Sequence, residues 1–317
     1  MANIGTDVSF AADLLTRGHC VGIPTETVYG LAANALDETA VFQIFAIKQR
    51  PDFDPLIVHA LSTEVAFSLA KDIPEVAKKL AETFWPGPLT LVLPKSEVIP
   101  AAVTSGLDTV GLRVPNHPLL QSLLNQLSFP LAAPSANPFG YISPTKAAHV
   151  QAQLGEKIPY ILDGGSCEIG LESTIVGFDV RQRAVILRAG MISALDLAKV
   201  LGYEPAIQKS SSKPQAPGML LSHYAPKTPF RPYKEGATMA GFGFLGMAPS
   251  DLGHRFSKHI FLSEDLNPFV CARQLYQAMR QLDEEGLEGI YFEWPPEGAL
   301  WIALRDRLER AAHQEMA

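Results

Sequence analysis

Cysteine is scarce in this chain of 317 residues, and the cysteines are not grouped. Cys20, Cys167 and Cys271 lie far apart and form no CxxC pair. Such a sparse, odd set indicates reduced thiols in a cytoplasmic protein, not a disulfide framework or a zinc site. The sequence also lacks a secretory signal at its N-terminus and any apolar run near the roughly 18 residues that a membrane helix needs. We therefore predict a cytoplasmic protein that makes no contact with a membrane.

Positive charge is also in short supply, because the formal net charge is -7 and the pI is about 5.6. This balance argues against a protein that coats nucleic acid, although it leaves a local basic pocket open. The sequence has no GxxxxGK[ST], HExxH or GxSxG motif. One GxGxxG occurs at Gly241, Gly243 and Gly246, but Met247-Ala248-Pro249 follows it where a dinucleotide site requires a helix. We interpret it as a glycine-rich strand.

Short apolar runs alternate with helical patterns over the first two-thirds of the chain. The length favours two domains, and the hydrophobic fraction of 47% is sufficient for two cores. The runs predict buried strands near residues 20–23, 56–58, 89–93, 109–114, 131–133 and 160–162. Residues 174–178 and 184–187, separated by a polar break, predict a hairpin. The pattern indicates an α/β domain with a twisted mixed sheet.

The composition changes near residue 208, where the segment QKSSSKPQAPG indicates a linker. A smaller βαβα pattern follows, with strands near residues 242–245, 260–262 and 290–292 and a last helix over 300–312. Asn267 and Pro268 predict the start of another helix, which ends at Gly286. We predict a larger α/β domain over 1–207, a linker over 208–230 and a Rossmann-like α/β domain over 231–317.

Two cations, Lys48 and Arg50, lie two residues apart where Pro51 ends a predicted helix. In an extended segment both side chains would point the same way and could hold a triphosphate. A solvated surface pair is the alternative. Ser135 and Asn137 follow a predicted strand and stand between two prolines, so they offer donors to phosphate or ribose from a fixed loop, or form an ordinary turn.

Further polar side chains lie on or at the ends of predicted strands. Thr109 and Arg113 share one strand face, and Arg113 needs an anionic partner, which is either a substrate carboxylate or a neighbouring acid. His59 ends its strand and either reaches the same pocket or is a structural histidine. Ser173 and Arg188 add a hydroxyl and a guanidinium at strand ends, where open α/β sheets bind ligands.

Together these elements resemble a known family. The ordered series PTETVYGL, KQRP, PLIVH, WPGPLTLVL, DTVGLRVP, AAPSAN, SPT, LDGG, ESTIV and LRAG is similar to the YrdC-like domain. The later PGM and HYAP segments, followed by a small α/β domain, resemble the two-domain L-threonylcarbamoyladenylate synthases. The resemblance covers nearly the whole chain.

This resemblance implies a site for each substrate. The residues matching the threonine site are Thr27, His59, Arg113, Ala133 and Ser173. Those matching the ATP site are Lys48, Arg50, Asp54, Thr109, Ser135, Asn137, Ser143, Arg188 and Tyr224. Lys48 and Arg50 are the candidate catalytic residues, and Tyr224 implies that the linker folds back as a lid over the nucleotide.

The implied reaction joins L-threonine, CO2 or bicarbonate, and ATP, with Mg2+, to give threonylcarbamoyl-AMP and pyrophosphate. The product would pass to the tRNA threonylcarbamoyltransferase machinery that modifies adenosine-37, and direct contact with tRNA would be weak. Two departures stand out: Asp54 replaces a common asparagine, and Leu220 and Ser222 occupy linker positions that are often basic. The alternatives are an RNA-binding module without adenylation activity and a related carbamoyl-adenylate enzyme.

Overall fold

The computed structural model describes residues 1–51, 53–208, 222–237 and 239–313, which form two α/β units. The strands are β1 Asn3–Gly5, β2 Val21–Ile23, β3 Gly30–Asn34, β4 Ile57–His59, β5 Leu89–Pro94, β6 Thr109–Arg113, β7 Leu131–Ala132, β8 Tyr160–Leu162, β9 Thr174–Phe178, β10 Ala184–Arg188, β11 Ala206–Ile207, β12 Phe230–Pro232, β13 Phe242–Gly246, β14 Lys258–Phe261 and β15 Gly289–Phe292. The α-helices are α1 Val8–Thr16, α2 Glu38–Lys48, α3 Thr63–Ser68, α4 Glu75–Phe84, α5 Ala101–Thr104, α6 Pro118–Gln126, α7 Ala147–Leu154, α8 Ala194–Leu201, α9 Pro268–Asp283 and α10 Ile302–Ala312.

The first unit is built on a mixed sheet of eleven strands in the order β1-β8-β2-β3-β7-β4-β6-β5-β9-β10-β11. Strands β2, β4, β5 and β8 are short and buried on both faces, as apolar runs bounded by proline and glycine predict, whereas the edge strands β1 and β11 are largely exposed. β4 pairs with β6 in parallel, whereas β9 and β10 form an antiparallel hairpin. The predicted mixed sheet and its hairpin are therefore confirmed.

One central strand has no counterpart among the predictions. β3 pairs antiparallel with β2 and lies inside the sheet, yet its sequence, GLAAN, has neither alternation nor β-branched residues. Small residues are needed there because the neighbouring backbone is close: a Cβ on Gly30 would lie 3.2 Å from the Cβ of Ala133. Tertiary packing, not local propensity, forms this strand.

The second unit is a parallel sheet of four strands in the order β12-β15-β13-β14. The glycine-rich segment forms β13, as predicted, and α9 begins after its cap Asn267, whose side chain accepts hydrogen bonds from the Phe269 and Val270 amides. The smaller Rossmann-like α/β unit is confirmed. The boundaries at 207 and 230 stay predictions, and most of the predicted linker, residues 209–221 with Leu220, lies outside the described residues.

Helix α9 packs against the first unit, and the two units share one cluster of buried side chains. Val28, Ile142 and Leu171 of the first unit belong to the same buried cluster as Tyr224 and Leu275. Within the described ranges, none of the helices combines the length and the apolarity needed to cross a bilayer.

Candidate active site

A small cavity lies where several strands of the first sheet end. Its free volume is about 50 Å³. Most of the predicted site residues line it, namely Thr27, Arg50, His59, Arg113, Ala133, Ser135, Ser173, Arg188 and Tyr224. These predicted residues therefore share one pocket, and the other predicted residues lie outside its lining.

Strand register brings His59 and Arg113 together. β4 and β6 run in parallel, and His59, the last residue of β4, is paired with Arg113, the last residue of β6. β9 and β10 run antiparallel, so Ser173, just before β9, meets Arg188 at the end of β10. The Arg188 guanidinium donates to the Ser173 carbonyl from Nη2 at 3.0 Å and to its hydroxyl at 3.1 Å.

Arg113 is buried and already has an acidic neighbour. Its Nη1 donates to the Thr27 hydroxyl at 2.9 Å, and its Nη2 lies 2.6 Å from Oε1 of Glu26. Of the two partners predicted for this guanidinium, the neighbouring acid is present, and it leaves the Arg113 side chain lining the cavity. Glu26 fixes the guanidinium in place. Breaking this buried pair would leave an uncompensated charge, so the two side chains stay together.

His59 is held in its neutral form. Burial, followed by the charge of Arg113, lowers the pKa of His59 to about 3. Its Nδ1 is buried and makes no hydrogen bond within the described part of the chain. A neutral imidazole with an unsatisfied ring nitrogen at the cavity is prepared to bind a polar group of a ligand.

The segment from Lys48 to Arg50 is not extended, so that prediction is wrong. Lys48 is the last residue of α2, and Gln49 caps the helix in the left-handed conformation with φ 54°. The buried Lys48 ammonium donates to the carbonyls of Ser135 and Asn137, the second at 2.6 Å. Lys48 thus lies behind the Ser135–Asn137 loop, whereas Arg50 lines the cavity. The left-handed cap at the end of α2 therefore directs Lys48 toward the loop and Arg50 toward the cavity.

Arg50 is paired with Asp54, the residue at which asparagine is common. Nη2 of Arg50 lies 2.8 Å from Oδ2 of Asp54, and both side chains are buried. The same guanidinium donates to the carbonyls of Asp54 and Pro55 at 3.0 and 2.9 Å. Asp54 therefore faces Arg50 and does not line the cavity.

Three further predicted residues lie outside the cavity lining. Asn137 is buried, and its amide donates to the carbonyls of Pro138 and Tyr141, both at 2.8 Å, so that it stabilises its own loop. Ser143 donates to Glu172 at 2.5 Å. Thr109, at the opposite end of β6 from Arg113, lines a wider open groove on the sheet. Alternation along a strand fixes which face a residue occupies but not which end of a ligand it reaches.

His223 and Tyr224 fill the remaining side of the cavity. Both rings are buried, with their centroids 4.2 Å apart, and Tyr224 stacks on Tyr276 of α9 at 5.8 Å. Burial lowers the pKa of His223 well below its usual value, and the charges of Arg50, Lys48, Arg188 and Arg307 lower it further. Several cationic side chains therefore lie close to the His223 ring.

Two family models match the chain. One, described as telomere recombination and covering the Sua5, YciO and YrdC proteins, matches residues 13–190, and the other, the C-terminal domain of threonylcarbamoyl-AMP synthase, matches residues 192–313. The threonylcarbamoyl-AMP synthase of Pyrococcus abyssi is 40% identical, over 96% of this chain and 94% of the relative. The chain belongs to this family.

Two other comparisons agree. The threonylcarbamoyl-AMP synthase of Bacillus subtilis is 36% identical over 96% of this chain and 92% of its own. The crystal structure of Pyrococcus abyssi Sua5 complexed with L-threonine has a TM-score of 0.87 at 37% identity, covering 98% of this chain and 97% of that one. The predicted resemblance, the fold class and the enzyme class are confirmed, and the RNA-binding alternative is disfavoured.

Two residues of the cavity lining were not among the predicted site residues. Glu172 and His223 both line the cavity. Each adjoins a predicted residue, Ser173 and Tyr224 respectively, so adjacency was the available signal. Side-chain chemistry alone gave no reason to choose them, because their partners come from distant parts of the chain.

The acidic residues at the site do not form a metal cage. Glu26, Asp54 and Glu172 lie at or beside the cavity, and each is paired with an arginine. Over the described ranges, no three His, Cys, Asp or Glu side chains converge as metal ligands. Mg2+ is commonly held by substrate phosphates with one or two carboxylates. Carboxylates that are already paired with arginines suit a Mg2+ ion that enters bound to ATP better than a metal ion held by the protein alone.

Proposed function

We propose that the chain forms threonylcarbamoyl-AMP and pyrophosphate from L-threonine, CO2 or bicarbonate, and ATP. One observation carries the proposal: a single cavity collects Arg113, Thr27 and His59 together with Arg50 and Arg188. The first three suit a small amino acid, and the two arginines suit a polyphosphate. The set matches the two substrates that an adenylating enzyme must bring together.

The threonine site is formed by strand ends. Arg113 binds the carboxylate, oriented by Glu26 and Thr27, while neutral His59 and the Ser173 hydroxyl contact polar groups of the amino acid and the Ala133 backbone closes the pocket. The Pyrococcus abyssi relative was crystallised with L-threonine, which supports threonine as the amino acid that the site takes. A preformed acid–arginine pair limits the entropy that is lost on binding.

The ATP site depends mainly on positive charge. Arg50 and Arg188 contact the phosphates, with Ser135 beside them, and Lys48 holds the Ser135–Asn137 loop from behind through its two hydrogen bonds. Asp54, Asn137 and Ser143 hold these groups in place through the contacts described above. Thr109 reaches at most the nucleoside end, from its groove.

The reaction then follows from positioning and charge. The neutral threonine amine adds to CO2, loses a proton and becomes an N-carboxylate; from bicarbonate the same step releases water. One oxygen of that carboxylate attacks the α-phosphorus of ATP, the bond from phosphorus to the bridging oxygen breaks, and pyrophosphate leaves. The arginines stabilise the charge that develops on the phosphates. Magnesium, when bound with ATP, supplies further neutralisation of the phosphates.

The His223–Tyr224 segment must move when ATP binds. Sites for small molecules usually occupy roughly 300–1,000 Å³, whereas the cavity with both rings in place has about 50 Å³. We infer that the segment withdraws to admit the nucleotide and then closes over it. Closure protects the mixed anhydride from water until the product passes to the tRNA-modifying transferase.

Mass spectrometry of the product tests the proposal. Incubation with ATP, L-threonine and ¹³C-bicarbonate should give an AMP adduct that carries both threonine and the label, and one pyrophosphate per adduct. An adduct that forms from carbamoyl phosphate without threonine would support the carbamoyl-adenylate alternative. Salt-resistant binding of RNA in a filter assay, without adduct formation, would support the RNA-binding alternative.

A further inference from the structure

Side chains of the second unit hold one residue of the cavity wall from behind. Glu172 lines the cavity and is held by three side chains. Ser143 donates from its own unit at 2.5 Å, while Tyr276 of α9 and Arg307 of α10 donate from the second unit, each at 2.9 Å. The Arg307 side chain is 0% exposed and that of Glu172 is 8% exposed, so the pair is buried.

Arg307 also contacts the segment that covers the cavity. Its guanidinium carbon lies 5.0 Å from the centroid of the Tyr224 ring, and its Nη2 donates to the Ala189 carbonyl at 2.9 Å. One side chain therefore links three elements: the start of β9 through Glu172, the end of β10 through Ala189, and the covering segment through Tyr224. Arg307 makes none of the substrate contacts in the proposed mechanism.

The electrostatic consequence concerns the nucleotide. Burial alone raises the pKa of Glu172, but the charges of Arg307 and Arg188 outweigh this and hold the pKa below its usual value, so Glu172 is ionised. An ionised carboxylate in the wall of a phosphate pocket repels a triphosphate unless a fixed cation offsets its charge. Arg307, which bonds to the Glu172 carboxylate from the second unit, is such a cation.

We propose that Arg307 is a positioning residue for ATP, which neutralises Glu172 and so allows the triphosphate to enter beside it. The inference rests on the proposed function, since it names the ligand that Glu172 would repel. It predicts that losing Arg307 weakens ATP binding through Glu172, and that removing the carboxylate as well restores it.

The experiment measures ATP and threonine affinity by calorimetry for Arg307→Met, Glu172→Gln and the double variant. Arg307→Met should raise the Kd for ATP at least tenfold and change the Kd for threonine less than threefold. The Kd for ATP of the double variant should lie within threefold of the Kd of Glu172→Gln. Arg305→Met, which removes another α10 arginine that lies over Trp294 instead, should bind ATP like the unmodified chain.

A purely structural role predicts a different result. Loss of one member of a buried pair lowers stability, and loss of both often restores it, so a change in Tm alone decides nothing. If folded Arg307→Met binds ATP normally, or if the double variant binds no better than Arg307→Met, the inference is overturned. If the methionine variant does not fold, Arg307→Gln, which also removes the charge but keeps a hydrogen-bond donor, takes its place in the comparison. Failure of the unmodified chain to form product would instead contradict the proposed function, while its ATP affinity would still test Arg307.

Discussion

The cavity joins two groups of residues that are assembled in different ways. The strand-end group, His59 and Arg113, is set by the register of two adjacent parallel strands. The interdomain group, Glu172, Tyr224 and Arg307, includes partners separated by as many as 135 positions in the chain. The first group can be predicted from the sequence of its strands, whereas the second forms only when the two units pack together. We expect the first to govern threonine and the second to govern ATP.

The largest expected effect is on acid stability, and it belongs to the strand-end group. His59 has a reference pKa of 6.5 and a folded-state pKa of about 3. Below pH 6.5 the unfolded chain therefore binds a proton that the folded chain does not, and stability falls as the pH drops toward 3. The contribution is up to about 5 kcal/mol at about 1.4 kcal/mol per pKa unit.

Urea unfolding between pH 7 and pH 4 measures this effect. His59→Asn should show a shallower loss of stability with falling pH, by close to one proton. The remaining slope comes from other histidines with lowered pKa values, including His149 with a pKa of about 4. Identical slopes for the two proteins would mean that His59 does not stay neutral in the folded chain.

Replacing Arg50 by alanine should decrease threonine-dependent pyrophosphate release by about 100- to 1,000-fold, because a preorganised phosphate contact is lost. The change also leaves Asp54 buried without its cation, which costs stability. A double variant, Arg50→Met with Asp54→Asn, should recover the Tm but not the turnover. Near-normal turnover in that double variant would remove Arg50 from the phosphate site. Arg17→Ala, at an exposed ion pair, is the control.

Replacing Arg113 by lysine should raise the KM for threonine by about 10- to 30-fold and leave the KM for ATP within about twofold, because a point charge cannot make a two-point contact with a carboxylate. Steady-state kinetics with each substrate varied in turn separates the two effects. An equal change in both KM values would show that the two groups of the cavity are not independent.

The smallest effect is expected at Thr109. Thr109→Val keeps the volume and removes the hydroxyl at the far end of β6, so the KM for ATP should rise only about two- to threefold. A loss of tenfold or more, measured in the same assay, would place the nucleotide deeper in the open groove than we propose.

The same contrast explains how far the sequence alone could lead. Apolar runs and breaks predicted β4, β6, β9 and β10, and the ends of those strands carry His59, Arg113, Ser173 and Arg188. The sequence misled where local conformation decides: Gln49 adopts a left-handed cap, so Lys48 turns behind the loop. It was silent on Glu172, because its partners Tyr276 and Arg307 come from helices more than 100 positions away.

The way in which Glu172 is held limits how this enzyme can be shortened. Deleting everything after β11 would remove Tyr276 and Arg307, two of the three side chains that bond to its carboxylate within the described residues. The truncated fragment would keep its own sheet and its strand-end histidine and arginine, but the carboxylate of Glu172 would lose its cation from the second unit and keep the bond from Ser143. A minimal single-unit version would therefore need a neutral residue at position 172 before any other redesign.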